Sequence, residues 1–195
     1  MSNIVAIVGR PNVGKSTLFN RLLERREAIV DSTAGVTRDR HYGKSDWNGV
    51  DFTVIDTGGY DVGSDDIFEE EIRKQVQLAV DEATSIIFMV NVEEGLQDID
   101  HEIYNLLRKA NKPLYLVVNK VDSAKEMLAA TEFYQLGVEK YYTLSSATGS
   151  GTGELLDDLV ADFPTTEYKD PFEGLPKITI AGRPNVGKST LTNAL

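Results

Sequence analysis

The chain of 195 residues contains no cysteine, only two histidines and a single tryptophan. Without cysteine, neither a disulfide framework nor thiol chemistry is available to it. Basic residues are scarce too, since 20 Lys and Arg stand against 31 Asp and Glu and give a net charge of −11. Because an acidic surface of that size repels phosphate backbones, we expect this chain not to bind nucleic acid directly.

Long hydrophobic runs are also missing. The longest apolar run, residues 86–90, falls far short of the roughly 20 residues that a membrane-spanning helix needs. The apolar stretch at residues 4–8 has no basic region before it and is too short for a signal peptide. These absences predict a soluble, cytoplasmic protein with no membrane partner.

The sequence does contain an internal repeat. The string GRPNVGKSTL occurs at Gly9–Leu18 and again at Gly182–Leu191, each time after a short apolar run. The separation matches one domain plus a linker, and the whole chain is too short for two α/β domains of ordinary size. We predict a first domain at residues 1–163, an acidic linker at 164–176 and the truncated start of a second domain at 177–195.

Apolar strand-like runs alternate with helical patterns between the two copies, which is typical of βαβ units. The predicted strands are 3–8, 41–47, 51–55, 85–92, 113–119 and 141–144, and the predicted helices are 15–26, 65–83, 98–110, 124–136 and 153–163. Asn48 and Gly49 suit a two-residue hairpin turn, so the second and third strands should be antiparallel neighbours. We therefore predict an α/β fold with a six-stranded, mostly parallel sheet, one antiparallel strand and helices on both faces.

The first copy of the repeat matches the P-loop pattern GxxxxGKS and lies between a predicted strand and a predicted helix. In such a loop the backbone N–H groups surround a phosphate, the lysine reaches the β- and γ-phosphates, and the serine hydroxyl binds Mg²⁺. This predicts a P-loop NTPase. The residues assigned to the phosphate site are Gly9, Arg10, Pro11, Asn12, Val13, Gly14, Lys15, Ser16 and Thr17.

The second copy supplies the corresponding residues Gly182, Asn185, Gly187, Lys188 and Ser189. No DxxG or NKxD motif follows it within this chain. We therefore predict that this incomplete P-loop binds no nucleotide here.

Two further segments fit a phosphate site. In a DxxG motif after a strand, the carboxylate lies near Mg²⁺ and a glycine N–H near the γ-phosphate. The residues that match this motif are Asp56, Thr57, Gly58 and Gly59. Thr37, in a polar loop after the first predicted helix, is expected to bind Mg²⁺ and sense the γ-phosphate. Thr33 in that role, or an ordinary solvated turn, is the alternative.

An NKxD motif formed by Asn119, Lys120 and Asp122 follows the fifth predicted strand. The Asp122 carboxylate can accept from both N1–H and the 2-amino group of guanine, whereas adenine lacks that amino group, so this residue should select guanine. Ser146 and Ala147, after the sixth predicted strand, should bring a backbone N–H to guanine O6. The alternative is that Asp122 or Ser123 serves as a helix N-cap.

The order of these motifs resembles that of the Ras-like GTPases related to translation factors. The repeated GRPNVGKST, the TRDR segment that contains Thr37 and the acidic linker are similar to the Der (EngA) family of double-G-domain GTPases, which assist assembly of the bacterial large ribosomal subunit. The resemblance covers the whole chain. It implies a Ras-like G domain that binds GTP and GDP with Mg²⁺ and hydrolyses GTP as a switch. It also implies a large-subunit partner that is reached through a second full G domain and a KH-like domain outside this chain.

The resemblance also bears on the mechanism. Tyr60 stands where many such GTPases have a water-orienting glutamine, and a phenol cannot act as that amide. Asn12 matches the asparagine with which potassium-dependent relatives hold K⁺ beside the β- and γ-phosphates, where the cation replaces an arginine finger. The alternative is that Arg38 or Arg40 acts in cis while Asn12 serves only the geometry of the turn.

Catalytic roles are therefore assigned to Lys15, Asn12, Thr37 and Gly59. The expected metal ligands are Ser16, Thr37 and Asp56 for Mg²⁺ and Asn12 for K⁺. Two other functions stay open: a non-catalytic scaffold that binds guanine nucleotide, which Tyr60 suggests, and a related GTPase of tRNA modification, which the tandem P-loop disfavours.

Overall fold

A computed structural model of the chain describes residues 3–24, 41–57, 74 and 76–164. The chain divides into two compact units, Met1–Pro164 and Thr165–Leu195, and every described residue lies in the first. The second P-loop copy, the predicted linker beyond Pro164 and most of the predicted helix at 65–83 therefore lie outside the described residues.

Six strands form a single sheet. They are β1 (Asn3–Val8), β2 (His41–Trp47), β3 (Val50–Asp56), β4 (Ser85–Asn91), β5 (Leu114–Asn119) and β6 (Tyr141–Thr143). The strand order is β2-β3-β1-β4-β5-β6, with β2 antiparallel to β3 and every other pair parallel. The predicted sheet is confirmed, and each predicted strand is found within one residue of its expected limits.

The hairpin between β2 and β3 forms where Asn48 and Gly49 predict it. Their φ angles are 50° and 80°, so both central residues of the turn have the positive φ that a type I′ turn requires. The turn brings Trp47 opposite Val50 and so fixes the register of the hairpin.

The helices are α1 (Lys15–Glu24), α2 (Asp98–Arg108), α3 (Ala124–Ala129) and α4 (Thr152–Ala161), and residues 76–82 are also helical. The prediction of one helix over 124–136 is wrong in its second half, because the chain continues from α3 as a 3₁₀ helix, Ala130–Leu136. Ala130, Phe133 and Leu136 are buried at a spacing of three residues, and a 3₁₀ helix aligns residues i and i+3 on one side.

Helices cover both faces of the sheet, as predicted. Because successive side chains of a strand point to opposite faces, β4 contributes to two hydrophobic clusters. One cluster joins Phe88 to residues of α2 and of the 3₁₀ helix. The other joins Met89 to residues of α1 and α4. Within the described part of the chain, no helix has both the length and the apolar character that crossing a membrane would require.

The parallel strands β1, β3, β4 and β5 end along the same edge of the sheet. The P-loop follows β1, Asp56 ends β3, and the NKxD motif begins at the last residue of β5. Open α/β sheets bind their ligands at this carboxyl edge. The topology therefore brings the separate motifs to one place.

Candidate functional site

The loop at residues 9–14 has a backbone that only particular residues can adopt. Gly9 and Gly14 have φ angles of 152° and 102°. A Cβ on Gly9 would lie 2.3 Å from the backbone oxygen of Met89, and one on Gly14 would lie 2.2 Å from Nδ2 of Asn119. Asn12, which is exposed, also has a positive φ of 62°. The two motif glycines are thus required by both backbone conformation and close packing.

Lys15 is a buried cation at the start of α1. Its side chain is only 6% exposed, and its Nζ donates to the backbone oxygen of Arg10 over 2.9 Å. Burial lowers the pKa of Lys15 from 10.5 to about 8, and the nearby negative charge of Asp56 partly offsets that effect. A desolvated ammonium with this environment favours an anionic ligand such as a phosphate.

Ser16 and Thr17 are exposed in the first turn of α1, and Asp56 is buried at the end of β3. Hydroxyl and carboxylate oxygens of this kind suit Mg²⁺, and Asp56 pairs in register with Ile7 near the end of β1, just before the P-loop. Thr57 instead anchors the chain after β3, because its hydroxyl donates to the backbone oxygen of Ile7 over 2.9 Å. The remaining predicted residues of this region, which are Thr33, Thr37, Arg38, Arg40, Gly58, Gly59 and Tyr60, lie outside the described residues.

Arg10 belongs to the P-loop by position, but its side chain extends to α2. Its Nε lies 3.1 Å from each carboxylate oxygen of Asp100, and its guanidinium also bonds to Glu94 and to the backbone oxygen of Gly95. Asp100 is fully buried and Arg10 is 8% exposed. Burial raises the pKa of Asp100, and the hydrogen bond from Arg10 holds the pKa of Glu94 below its usual value. The side chain of Arg10 therefore braces the loop.

Asn119 connects three segments of the site. Its side-chain Nδ2 donates to the backbone oxygen of Val13 over 2.7 Å, and its Oδ1 accepts from the amide of Ser146 over 2.9 Å. The residue is 2% exposed. A single side-chain amide thus holds the P-loop, the end of β5 and the segment after β6 together.

Asp122 and Ser123 have separate roles. Ser123 is the N-cap of α3, since its hydroxyl accepts from the amide of Glu126 and the Glu126 carboxylate accepts from the amides of Asp122 and Ser123. This resolves the N-cap alternative in favour of Ser123. The Asp122 carboxylate is exposed and accepts no hydrogen bond from the residues that the structure describes.

Lys120 follows Asn119 with a positive φ of 64°, and its Nζ lies 2.9 Å from Oε2 of Glu93. The neighbouring Glu94 binds Arg10. The turn after β4 therefore contacts both nucleotide motifs, the NKxD motif through Glu93 and the P-loop through Glu94.

The Ser146–Ala147 segment completes this edge of the sheet. Ser146 is 2% exposed, and its hydroxyl oxygen is buried without a hydrogen-bond partner among the described residues. Such an orphaned polar group is costly unless a ligand or water satisfies it. Arg21 of α1 donates from Nε to the backbone oxygen of Ser146 over 2.5 Å and from Nη2 to that of Ala147.

Sequence reasoning missed Arg21, Glu93, Glu94 and Asp100 as members of this site. Their partners in the P-loop, in the NKxD motif and in the Ser146–Ala147 segment lie 27 to 126 residues away along the chain, and no short motif contains them. Motif spacing describes only residues that are close together in the sequence, so it could not predict these contacts.

Comparison with known proteins decides the family. The 50S ribosome-binding GTPase family matches residues 4–120 and 177–195. The chain belongs to this family. GTPase Der of Christiangramia forsetii is 63% identical over 195 residues, which are 100% of this chain and 45% of that protein. The chain thus spans about half the length of the curated relatives that it matches.

Solved structures of other GTPases share the fold. An Era variant from Aquifex aeolicus bound to GDP and AlF₄⁻ aligns with a TM-score of 0.67 and 31% identity, over 91% of this chain and 62% of that one. The G domain of the Thermotoga maritima FeoB iron transporter aligns with a TM-score of 0.59 and 26% identity, over 83% and 98%. The predicted P-loop GTPase fold and the resemblance to the Der family are confirmed.

Proposed function

We propose that this chain binds guanine nucleotide at the carboxyl edge of its sheet and hydrolyses GTP as a molecular switch. The observation that carries the proposal is the pair of hydrogen bonds made by the Asn119 side chain, which donates to the backbone oxygen of Val13 and accepts from the amide of Ser146. They fasten the P-loop, which suits phosphates, to the segments around Asp122 and Ser146, which suit a guanine base.

The phosphate end offers a concentrated positive environment. Lys15 would exchange its bond to the Arg10 carbonyl for bonds to the β- and γ-phosphates, and the N-terminus of α1 would add its partial positive charge. Ser16 and Asp56, with Thr37, are the residues that would hold Mg²⁺, whose charge would offset that of the phosphate oxygens. Gly59 would report the γ-phosphate through its backbone N–H.

The base end offers the complement of guanine. The Asp122 carboxylate would accept from N1–H and the 2-amino group, while the Ala147 N–H would donate to O6. Adenine reverses this pattern of donors and acceptors, so it would leave polar groups unpaired in the site.

Hydrolysis would transfer the γ-phosphoryl group of GTP to water. We propose Asn12, exposed in the P-loop, as the ligand of a K⁺ ion that stabilises negative charge in the transition state. Hydrolysis should then be faster in KCl than in NaCl for the native chain and equally slow in both salts for Asn12→Ala. Equal native rates in the two salts would remove the potassium proposal.

Calorimetric titration of the 195-residue chain with GDP, GTP and ATP in the presence of Mg²⁺ tests the main proposal. We expect one binding site for the guanine nucleotides, because only the first P-loop has its own DxxG and NKxD motifs. ATP bound as tightly as GTP, or neither bound, would contradict guanine recognition. Single-turnover release of phosphate then separates a GTPase from a binding scaffold, since the scaffold would release none above the uncatalysed rate.

The large ribosomal subunit is the proposed cellular partner, reached through parts of the family architecture outside this chain. The support is the match to the 50S ribosome-binding GTPase family, together with the Der relatives. With a net charge of −11, this chain is not expected to provide the RNA contact itself. The domain limits 1–163, 164–176 and 177–195 and the cytoplasmic location remain predictions.

A further inference from the structure

Arg21 lies six residues after Lys15 and belongs to none of the nucleotide-binding motifs. Its guanidinium nevertheless bonds to the backbone oxygens of both Ser146 and Ala147. We propose that Arg21 is a positioning residue for guanine recognition, which orients the Ala147 N–H toward O6 of the base. This inference rests on the proposed function, because it assigns a role within the same nucleotide site.

The loop at residues 145–150 leaves these two carbonyl groups for an external donor. Its ends are closed by backbone hydrogen bonds, from Ser145 N to Ser150 O over 3.0 Å and from Gly149 N to Ser145 O over 2.7 Å. The carbonyl groups of Ser146 and Ala147, which lie between, are the ones that receive the two bonds from Arg21.

Peptide planarity carries the effect of Arg21 to the next amide. The C=O of Ser146 and the N–H of Ala147 belong to one trans peptide unit, so they point in opposite directions. When Arg21 holds this oxygen toward α1, the N–H of Ala147 is directed away from α1. The peptide unit before Ser146 is also fixed, because the N–H of Ser146 donates to Oδ1 of Asn119.

The Ala147 N–H is open to a ligand. Ala147 is exposed, and its amide has no acceptor within the described ranges of the chain. Asn119, which holds the loop, lies three residues before Asp122, whose carboxylate is also exposed. Guanine presents an O6 acceptor next to an N1–H donor, and the Ala147 amide and the Asp122 carboxylate supply the complementary donor and acceptor.

Arg21 fits closely against the loop. A Cβ on Gly149 would lie 2.8 Å from Nη1 of Arg21, and Gly149 has a φ of 86°, so glycine leaves space for the guanidinium. A structural alternative exists, since Arg21 is a basic residue in the last turn of α1 and complements the helix dipole there. Any test must separate these two roles.

The experiment measures dissociation constants of the 195-residue chain for three nucleotides at neutral pH. GDP presents O6, N1–H and the 2-amino group, and so can make all of the proposed base contacts. In 6-thio-GDP the O6 acceptor is replaced by sulfur, a weaker acceptor, while N1–H and the 2-amino group remain. IDP keeps O6 but lacks the 2-amino group that Asp122 would bind. The variants are Arg21→Gln, which removes the charge, and Arg21→Lys, which keeps it but lacks the two-pronged guanidinium.

We expect both variants to bind GDP about tenfold more weakly, the loss of roughly one well-formed hydrogen bond. The preference for GDP over 6-thio-GDP should shrink, because that preference depends on the oriented N–H. The preference for GDP over IDP should persist, because it depends on Asp122. Asn20→Ala, a change at a neighbouring exposed position of α1, should alter neither preference.

If Arg21 had a purely structural role, its substitution would lower the affinity for all three nucleotides by the same factor and leave both preferences intact. This result would overturn the proposal. Unchanged affinity for GDP would overturn it as well. Thermal unfolding of each variant establishes that it is folded, and Arg21→Lys carries the test if Arg21→Gln does not fold. Failure of the native chain to bind GDP would instead count against the proposed function.

Discussion

Arg10 and Asp100 form a buried ion pair in which Nε of the arginine lies 3.1 Å from both oxygens of the carboxylate. One partner belongs to the P-loop and the other to the first turn of α2, where it also accepts a hydrogen bond from the amide of Gln97. A residue of the P-loop is therefore fixed to α2, a helix that follows β4 in the chain. This contact gives the loop a rigid support.

Removal of one member of this pair should be costly. We expect Arg10→Met to lower the free energy of unfolding by about 3 to 5 kcal/mol, because Asp100 would remain as a buried, uncompensated charge. The double variant with Asp100→Asn should lose less than the sum of the two single changes. Urea unfolding measures all three. Lys140→Met, which removes an exposed cation from its pairs with Glu154 and Asp158, is the control and should change little. Additive losses would contradict the coupling.

Gly14 and Gly49 provide a matched comparison, since both have a positive φ, of 102° and 80°. A Cβ at Gly49 meets nothing within 4 Å, whereas one at Gly14 would lie 2.2 Å from Asn119. Gly49→Ala should cost about 1 to 2 kcal/mol of stability and leave nucleotide affinity unchanged. Gly14→Ala should cost more and also weaken nucleotide binding, because Asn119 must move. Similar effects of the two changes on affinity would refute this.

Asp122→Asn should exchange guanine for xanthine. The amide can accept from N1–H through its oxygen and donate from its NH₂ to the oxygen at position 2 of xanthine. With guanine the same NH₂ would face the 2-amino group, donor against donor, where the carboxylate accepts. We expect affinity for GDP to fall by about 10²- to 10⁴-fold and that for XDP to rise. Competition titrations with both nucleotides measure the exchange. Asp98→Asn, an exposed change at the start of α2, serves as the control, and an undiminished preference for GDP in Asp122→Asn would argue against this base contact.

The stability of the nucleotide-free protein should rise with pH because of Lys15. Its pKa is about 8 in the folded state against an ordinary 10.5, so between these values the unfolded chain binds more protons and unfolding becomes less favourable as pH increases. The lysine should contribute about 1.5 kcal/mol of extra stability between pH 8 and pH 9.5.

Urea unfolding at the two pH values, compared with Lys15→Met, isolates this contribution. The comparison stops below pH 10 because the pKa of Tyr142 is raised from 10.0 to about 12 in the folded state. Above pH 10 the folded chain therefore binds more protons at Tyr142 than the unfolded chain does, and this lowers stability as pH increases. Identical pH dependence in the native chain and in Lys15→Met would show that Lys15 titrates normally.

Local patterns predict most of this fold. The strands follow from apolar runs and the β2–β3 turn from Asn48–Gly49, because these signals act between near neighbours in sequence. The change from α3 to a 3₁₀ helix at Ala130 was not predictable in this way, since it depends on how three side chains reach the core. The partners of Arg10 and Arg21 were likewise hidden, because tertiary folding alone brings α2 to the P-loop and α1 to the loop after β6.

The two hydrogen bonds of Asn119 make the halves of the site dependent on each other. A displacement of the Val13 carbonyl that rotates the Asn119 amide would also weaken its bond to the amide of Ser146, so a change at one end of the site is transmitted to the other. A compound that occupies only the base end, such as guanosine, would still have to order the phosphate end. Its affinity would be lowered by the free energy needed for that ordering.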